Sequence, residues 1–99
     1  IIKFKNKKNN HLFKKNNPNI ILPPDYLMYE SFRLDYKRYF EGGKNTANWL
    51  KEIFGKHKNL ENLKILDWGC GPARVIRHFP NILNNSVFFG TDYNEDSII

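Results

Sequence analysis

Two carboxylates and two glycines are the residues of this chain best placed to do chemistry. Asp67 sits near the end of a short apolar run, Lys64-Ile-Leu-Asp-Trp68, and the turn Gly69-Cys-Gly71 follows at once. A second apolar run, Ser86-Val-Phe-Phe-Gly-Thr91, delivers another acid, Asp92. Glycine is favoured where the backbone takes a positive φ or must approach a ligand closely. Asp92 follows Gly71 by 21 positions, near the spacing of about 20 at which an acid meets ribose hydroxyls in dinucleotide folds. An ionised Asp only accepts hydrogen bonds, and a vicinal diol offers two donors. The pattern predicts a nucleoside-binding crevice outside the carboxyl ends of two adjacent strands.

Asp67 decides between the cofactors that share such a crevice. Dinucleotide folds rest a pyrophosphate on the turn and the helix N-terminus, where backbone N–H groups and the helix dipole favour anions. A carboxylate just before the turn would repel that pyrophosphate. It suits a ligand bearing an ammonium and a sulfonium, the charge pattern of S-adenosylmethionine. The dinucleotide fingerprint also needs a third small residue for helix–strand packing, and its register falls on Arg74.

The stretch Leu66-Asp-Trp-Gly-Cys-Gly-Pro-Ala-Arg-Val-Ile-Arg-His-Phe79 resembles the first motif of class I S-adenosylmethionine-dependent methyltransferases. It is similar in particular to bacterial members reading roughly LDFGCGxGRVLRH. Gly90-Thr-Asp-Tyr-Asn94 resembles their GTDYN segment at the end of the second strand, and Pro23-Pro24 with Phe40-Glu-Gly-Gly-Lys44 resembles their lead-in. The similarity covers residues 22–99. Ala73 stands where the family usually has its third glycine, and the extra methyl group predicts tighter helix packing.

The resemblance implies a Rossmann-like α/β fold, of which only the N-terminal helices and the first β-α-β unit would be present. It implies S-adenosylmethionine as cofactor, held by Asp67, Trp68, Gly69, Cys70, Gly71, Asp92 and Tyr93. Trp68 and Cys70 would contribute through their backbone while their side chains pack. Tyr93 would lie on the adenine face or pack. Arg74 matches the family's Gly-Arg pair or anchors its helix to a carboxylate, and carries no catalytic role. No catalytic base is assigned, because it would come from later strands. The methyl acceptor stays open among protein, RNA, lipid, sugar and small metabolite. Two other classes stay open beside this one: an NAD(P)-dependent oxidoreductase, and a non-catalytic interaction domain that keeps the fold.

The elements that must position these groups follow from pattern. The residue before a proline is pushed toward extended geometry, so Ile20-Ile-Leu-Pro-Pro24 reads as an extended lead-in. Asp25 caps a short helix over Tyr26–Tyr29. A second helix runs from Asp35 to Glu41 and stops at Gly42-Gly43. A third covers Thr46 to about Lys58, capped by Asn45 or Thr46, with Ala47, Leu50, Ile53, Phe54 and His57 on one face. The first strand is Lys64–Trp68, a helix follows over Ala73–Phe79 with Pro80 ending it, and the second strand is Ser86–Thr91. Asn94 caps a last helix opening on Glu95 and Asp96, charges favoured at an N-terminus. The aromatic residues Tyr26, Tyr29, Phe32, Tyr36, Tyr39 and Phe40 either pack on the sheet edge or wall the cofactor and acceptor pocket.

With 99 residues, about half of a methyltransferase sheet fits, and the chain reads as an N-terminal fragment that is marginally stable alone. Three segments are expected: a basic disordered tail over 1–19, a helical lead-in over 20–60, and the start of the cofactor domain over 61–99. The first 19 residues hold six lysines and no acid, which accounts for the whole net charge of +6. That composition reads as a solvated tail. A basic arm on RNA or an anionic membrane is the less favoured reading, because no aromatic platform or arginine cluster accompanies the lysines. No apolar run approaches the roughly 20 residues of a membrane span, and the early Ile-Ile pair is too short for a signal core. The single cysteine builds no disulfide framework or zinc set. His11, His57 and His78 share no ligand spacing, so no metal is expected. A cytoplasmic location follows as the expectation, and the oligomeric state is left open.

Overall fold

In a computed structural model, the structure describes residues 6–32 and 34–98, with the side chains of 29–32 outside the description. The elements are α1 (Lys7–Asn16), α2 (Asp25–Phe32), α3 (Tyr36–Gly55), β1 (Lys64–Trp68), a 3-10 helix (Ile76–Asn81), β2 (Val87–Thr91) and α4 (Glu95–Ile98). The chain divides into two compact units, Ile1–Gly42 and Gly43–Ile99.

In the first unit, the expected tail is helical over Lys7–Asn16, which corrects the reading of a solvated segment. Lys3, Phe4 and Lys5 lie outside the described residues. Propensity alone would not hold this Asn-rich helix; two buried side chains, Asn10 and Phe13, tie it down. The Asn10 amide donates to the Leu34 carbonyl, and its oxygen accepts from the Tyr36 N–H at 2.9 Å. Phe13 meets Phe40 with ring centroids 6.0 Å apart. Asn17 closes the helix, its side-chain amide and its backbone N–H both donating to the Phe13 carbonyl at 2.9 Å. Among the described residues of this unit, Met28, Leu34 and Tyr39 are also buried and apolar. The aromatic lead-in therefore splits: Tyr39 is fully buried, Phe40 packs on Phe13, and Tyr26 is exposed. The Tyr36 hydroxyl donates to Asp25 at 2.7 Å. Partial burial and that neighbouring carboxylate push its pKa up to about 12.

The two expected helices over 35–58 are one, α3, which runs unbroken through Gly42-Gly43. Asp35 opens it, its carboxylate accepting from the Arg38 N–H at 3.1 Å, so Asn45 and Thr46 are interior residues rather than caps. Glycine in a helix costs about 1 kcal/mol relative to alanine, and Gly43 has a packing reason to be there. A Cβ at Gly43 would collide with the backbone carbonyl of Arg74.

The second unit is built on a parallel two-stranded sheet, with Lys64 opposite Val87 through Trp68 opposite Thr91. The first strand lies where the apolar run placed it; the second begins one residue later than expected. A parallel pair requires a crossover of a dozen or more residues. Here the crossover is a turn over 71–75 followed by the 3-10 helix, with Pro80 inside it, in place of the expected α-helix over Ala73–Phe79. Ala73 has φ +62° and so cannot begin an α-helix, and the proline removes a donor near its end. Too few residues remain between them to repay helix nucleation. The core gathers Ala47, Ile76, Phe79 and Leu83, with Leu50, Phe54, Ile65 and Phe88 packed against them. Phe79 stacks on Phe88 at 5.9 Å. The other sheet face is open: Leu66, Trp68, Val87 and Phe89 are exposed. These findings give a mixed helix–strand chain with a small parallel sheet, compatible with the α/β class.

Candidate functional site

Asp67 and Asp92 lie at the C-terminal ends of neighbouring strands, as their spacing requires. Strand alternation turns Asp67 to the same side as Ile65, the covered side, and pairs it with Gly90. Burial raises the Asp67 pKa above the usual carboxylate value. Asp67 has no hydrogen-bond or ion-pair partner among the described residues. A partly desolvated acid without a cation is the kind of group found at ligand sites, though structural carboxylates also show it.

The turn after β1 is held by backbone geometry that its sequence dictates. Gly69 and Gly71 have φ of +71° and +56°, a left-handed region that favours residues without a Cβ. A Cβ built on either would meet nothing within 4 Å. Conformation, and not crowding by the protein, therefore demands glycine here, and the space in front of both is open. Ala73 shares the left-handed conformation, so its departure from the expected third glycine costs backbone strain rather than the tighter helix packing anticipated from its methyl group.

The turn is stapled to the end of β2. The Cys70 N–H donates to the Thr91 carbonyl at 2.8 Å. The Gly71 N–H donates to Asp92 Oδ2 at 2.8 Å, and the Asn94 N–H donates to Asp92 Oδ1 at 2.8 Å. Asp92 thus does two local jobs, clamping the glycine turn and shaping the turn into α4. A carboxylate offers about four acceptor positions, so each oxygen retains capacity beyond these two bonds. Asn94 caps α4 as expected, accepting from the Asp96 N–H at 3.1 Å.

Cys70 lies between the two acids. Burial raises its thiol pKa most, with Asp67 and then Asp92 adding to the effect. A thiol held neutral in this way is a poor nucleophile. Its sulfur packs over Gly90, where a Cβ would come within 2.8 Å of Sγ. Packing of the Cys70 side chain thus agrees with expectation. Trp68 departs from it: the indole is 84 % exposed, because alternation turns it with Leu66 to the open sheet face. Tyr93 is also fully exposed and does not pack.

One polar group in this region went unremarked in the sequence. The Thr91 hydroxyl is buried and finds no hydrogen-bond partner among the described residues. Its position directly before Asp92 was the available signal. The cavity of about 460 Å³ lined by Phe54, His57, Lys58, Asn62, Leu63, Lys64 and Ile65 lies at the opposite end of β1 and includes none of the site residues. Among the described residues, no group of three or more His, Cys, Asp or Glu side chains is arranged to hold a metal, and no helix is long and apolar enough to cross a membrane.

The side chains flanking the open glycine turn are two carboxylates, which accept hydrogen bonds and repel anions. No protein family, curated relative or solved structure matches this chain.

Proposed function

We propose that this chain carries the S-adenosylmethionine-binding half of a class I methyltransferase with a Rossmann-like fold. The observation that carries the reading is the pair of carboxylates, Asp67 and Asp92, flanking a glycine turn whose outer space is open. The sequence resemblance over 66–79 and 90–94 points the same way.

In this reading Asp67 receives the ammonium of the methionyl part, and ion pairing repays its partial desolvation. Gly69 and Gly71 let the cofactor rest against bare backbone. Asp92 keeps the turn in shape and offers its remaining acceptor positions to the ribose hydroxyls. Tyr93, exposed beside it, supplies an adenine face. Trp68 and Cys70 contribute peptide groups. Bound there, the cofactor would supply an activated methyl group for transfer to an acceptor. The chain's own contribution is alignment and exclusion of water from the reacting centre.

Isothermal titration with S-adenosylmethionine and with NAD tests this. The expected result is S-adenosylmethionine binding that weakens by about 10- to 100-fold in Asp67→Asn, the size of a lost charge-assisted hydrogen bond. Tighter binding of NAD would replace the proposal with the oxidoreductase reading. Binding of neither ligand would leave an interaction domain in its place.

A further inference from the structure

The helical state of α1 gives its charges an arrangement that a disordered tail would lack. At 3.6 residues per turn, Lys7, Lys8, His11, Lys14 and Lys15 all fall within about a third of the helix circumference. All five are exposed, and the helix contains no acid. The buried residues Asn10 and Phe13 flank this arc on one side, Leu12 borders it on the other, and Asn9 and Asn16 face away from it. The neighbourhoods differ in sign as well. Lys7, His11 and Lys14 line a cavity of about 320 Å³ whose one acid, Asp25, accepts the Tyr36 hydroxyl. Two acids, Asp35 and Glu41, with one cation, Lys37, lie instead beside Asn9, Leu12 and Asn16. None of the four lysines makes an ion pair among the described residues.

We infer that the lysine face of α1 is a docking surface for the phosphodiester backbone of a nucleic acid. From Lys7 to Lys15 the face spans about 12 Å at 1.5 Å per residue. With phosphates about 3.4 Å apart along the axis of one strand, that length matches three to four of them and four lysines. A membrane surface is the poorer match. An interfacial helix buries an apolar face in lipid, whereas Phe13 is already buried in the protein and Leu12 is the one exposed apolar residue of α1. The absence of an aromatic platform means that the surface reads charge and spacing and not base identity. This inference concerns the first unit and does not depend on the methyl-transfer reading.

Fluorescence anisotropy of the whole chain with a labelled DNA duplex of about 20 base pairs tests it. Four phosphate contacts predict a slope of log K against log salt of about −3.6, and so about 150-fold weaker binding between about 50 and 200 mM salt. Lys8→Gln with Lys15→Gln removes two exposed charges and should bring the slope to about −1.8 and the weakening to about 12-fold. The charge-matched pair Lys56→Gln with Lys58→Gln, in the other unit, should leave the slope unchanged. Leu12→Pro keeps every charge but breaks the helix, and should lower affinity by about 10-fold or more, with loss of helix read by circular dichroism. The inference is overturned by no binding at the lower salt, by equal effects of the two glutamine pairs, or by undiminished binding of Leu12→Pro. Tighter binding to phosphatidylserine-containing vesicles than to the oligonucleotide would overturn it in favour of a membrane surface.

Discussion

The Asp92 carboxylate accepts the Gly71 N–H at 2.8 Å across 21 residues of sequence. This bond joins the turn after β1 to the end of β2, and the second oxygen of the same carboxylate shapes the turn into α4 through Asn94. A residue expected to serve a ligand is therefore also part of the frame around it.

Asp92→Ala removes both bonds at a partly buried site. Hydrogen bonds to charged groups contribute about 1.5–3 kcal/mol each in net terms, less when solvent competes, so a loss of about 2 kcal/mol is expected. Urea denaturation measures it, and amide exchange at Gly71 should accelerate. Unchanged stability with unchanged Gly71 exchange would show that the clamp contributes nothing.

Asp67 predicts a pH effect of definite sign. Burial raises its pKa in the folded state, so the folded chain binds this proton more tightly than the unfolded chain does. Its ionisation therefore opposes folding. That penalty is absent below the unfolded value, grows as pH rises through the folded one, and is complete above it. Asp67→Asn should raise the melting temperature at neutral pH and leave it unchanged near pH 3, as far as this group determines it. Equal shifts at both pH values would assign the gain to packing instead.

Gly43→Ala should reverse the usual helix rule. Alanine ordinarily gains about 1 kcal/mol over glycine in a helix interior. Here the new methyl group would collide with the Arg74 carbonyl, and backbone cannot rotate away as a side chain can. Overpacking costs about 1–3 kcal/mol, so a net loss of roughly 1 kcal/mol is expected by chemical denaturation. A stabilised variant would mean that α3 and the turn before the 3-10 helix lie farther apart.

Ala73→Gly tests the strain at the third position of the turn. A left-handed φ costs a non-glycine residue about 1–2 kcal/mol, and Ala73 has φ +62°. Glycine also loses more backbone freedom on folding, a cost of about 0.4–1 kcal/mol. A net gain of about 0.5–1 kcal/mol should appear as a higher denaturation midpoint. A destabilised variant would show that the methyl group's packing outweighs the strain.

Local pattern was enough for the strands and the turn between them. The short apolar runs in Lys64–Trp68 and Val87–Thr91 need no distant partner to be recognised, and Gly69 and Gly71 both take left-handed backbone. Asp35 and Asn94 likewise reveal helix starts, because capping is a contact across two or three residues. Other features depended on groups far away in the chain. Gly42-Gly43 looks like a helix stop until the Arg74 carbonyl is seen filling the space beside Gly43. The lysine- and asparagine-rich segment looks unstructured until Asn10 bonds to Leu34 and Tyr36, and Phe13 meets Phe40. The residue types by themselves determined the two strands, the glycine turn and the acids at its edges. Tertiary contacts decided which helices continue, which segment folds and what Asp92 holds, because those outcomes rest on hydrogen bonds and close packing between residues about 20 to 30 positions apart, beyond the reach of local propensity.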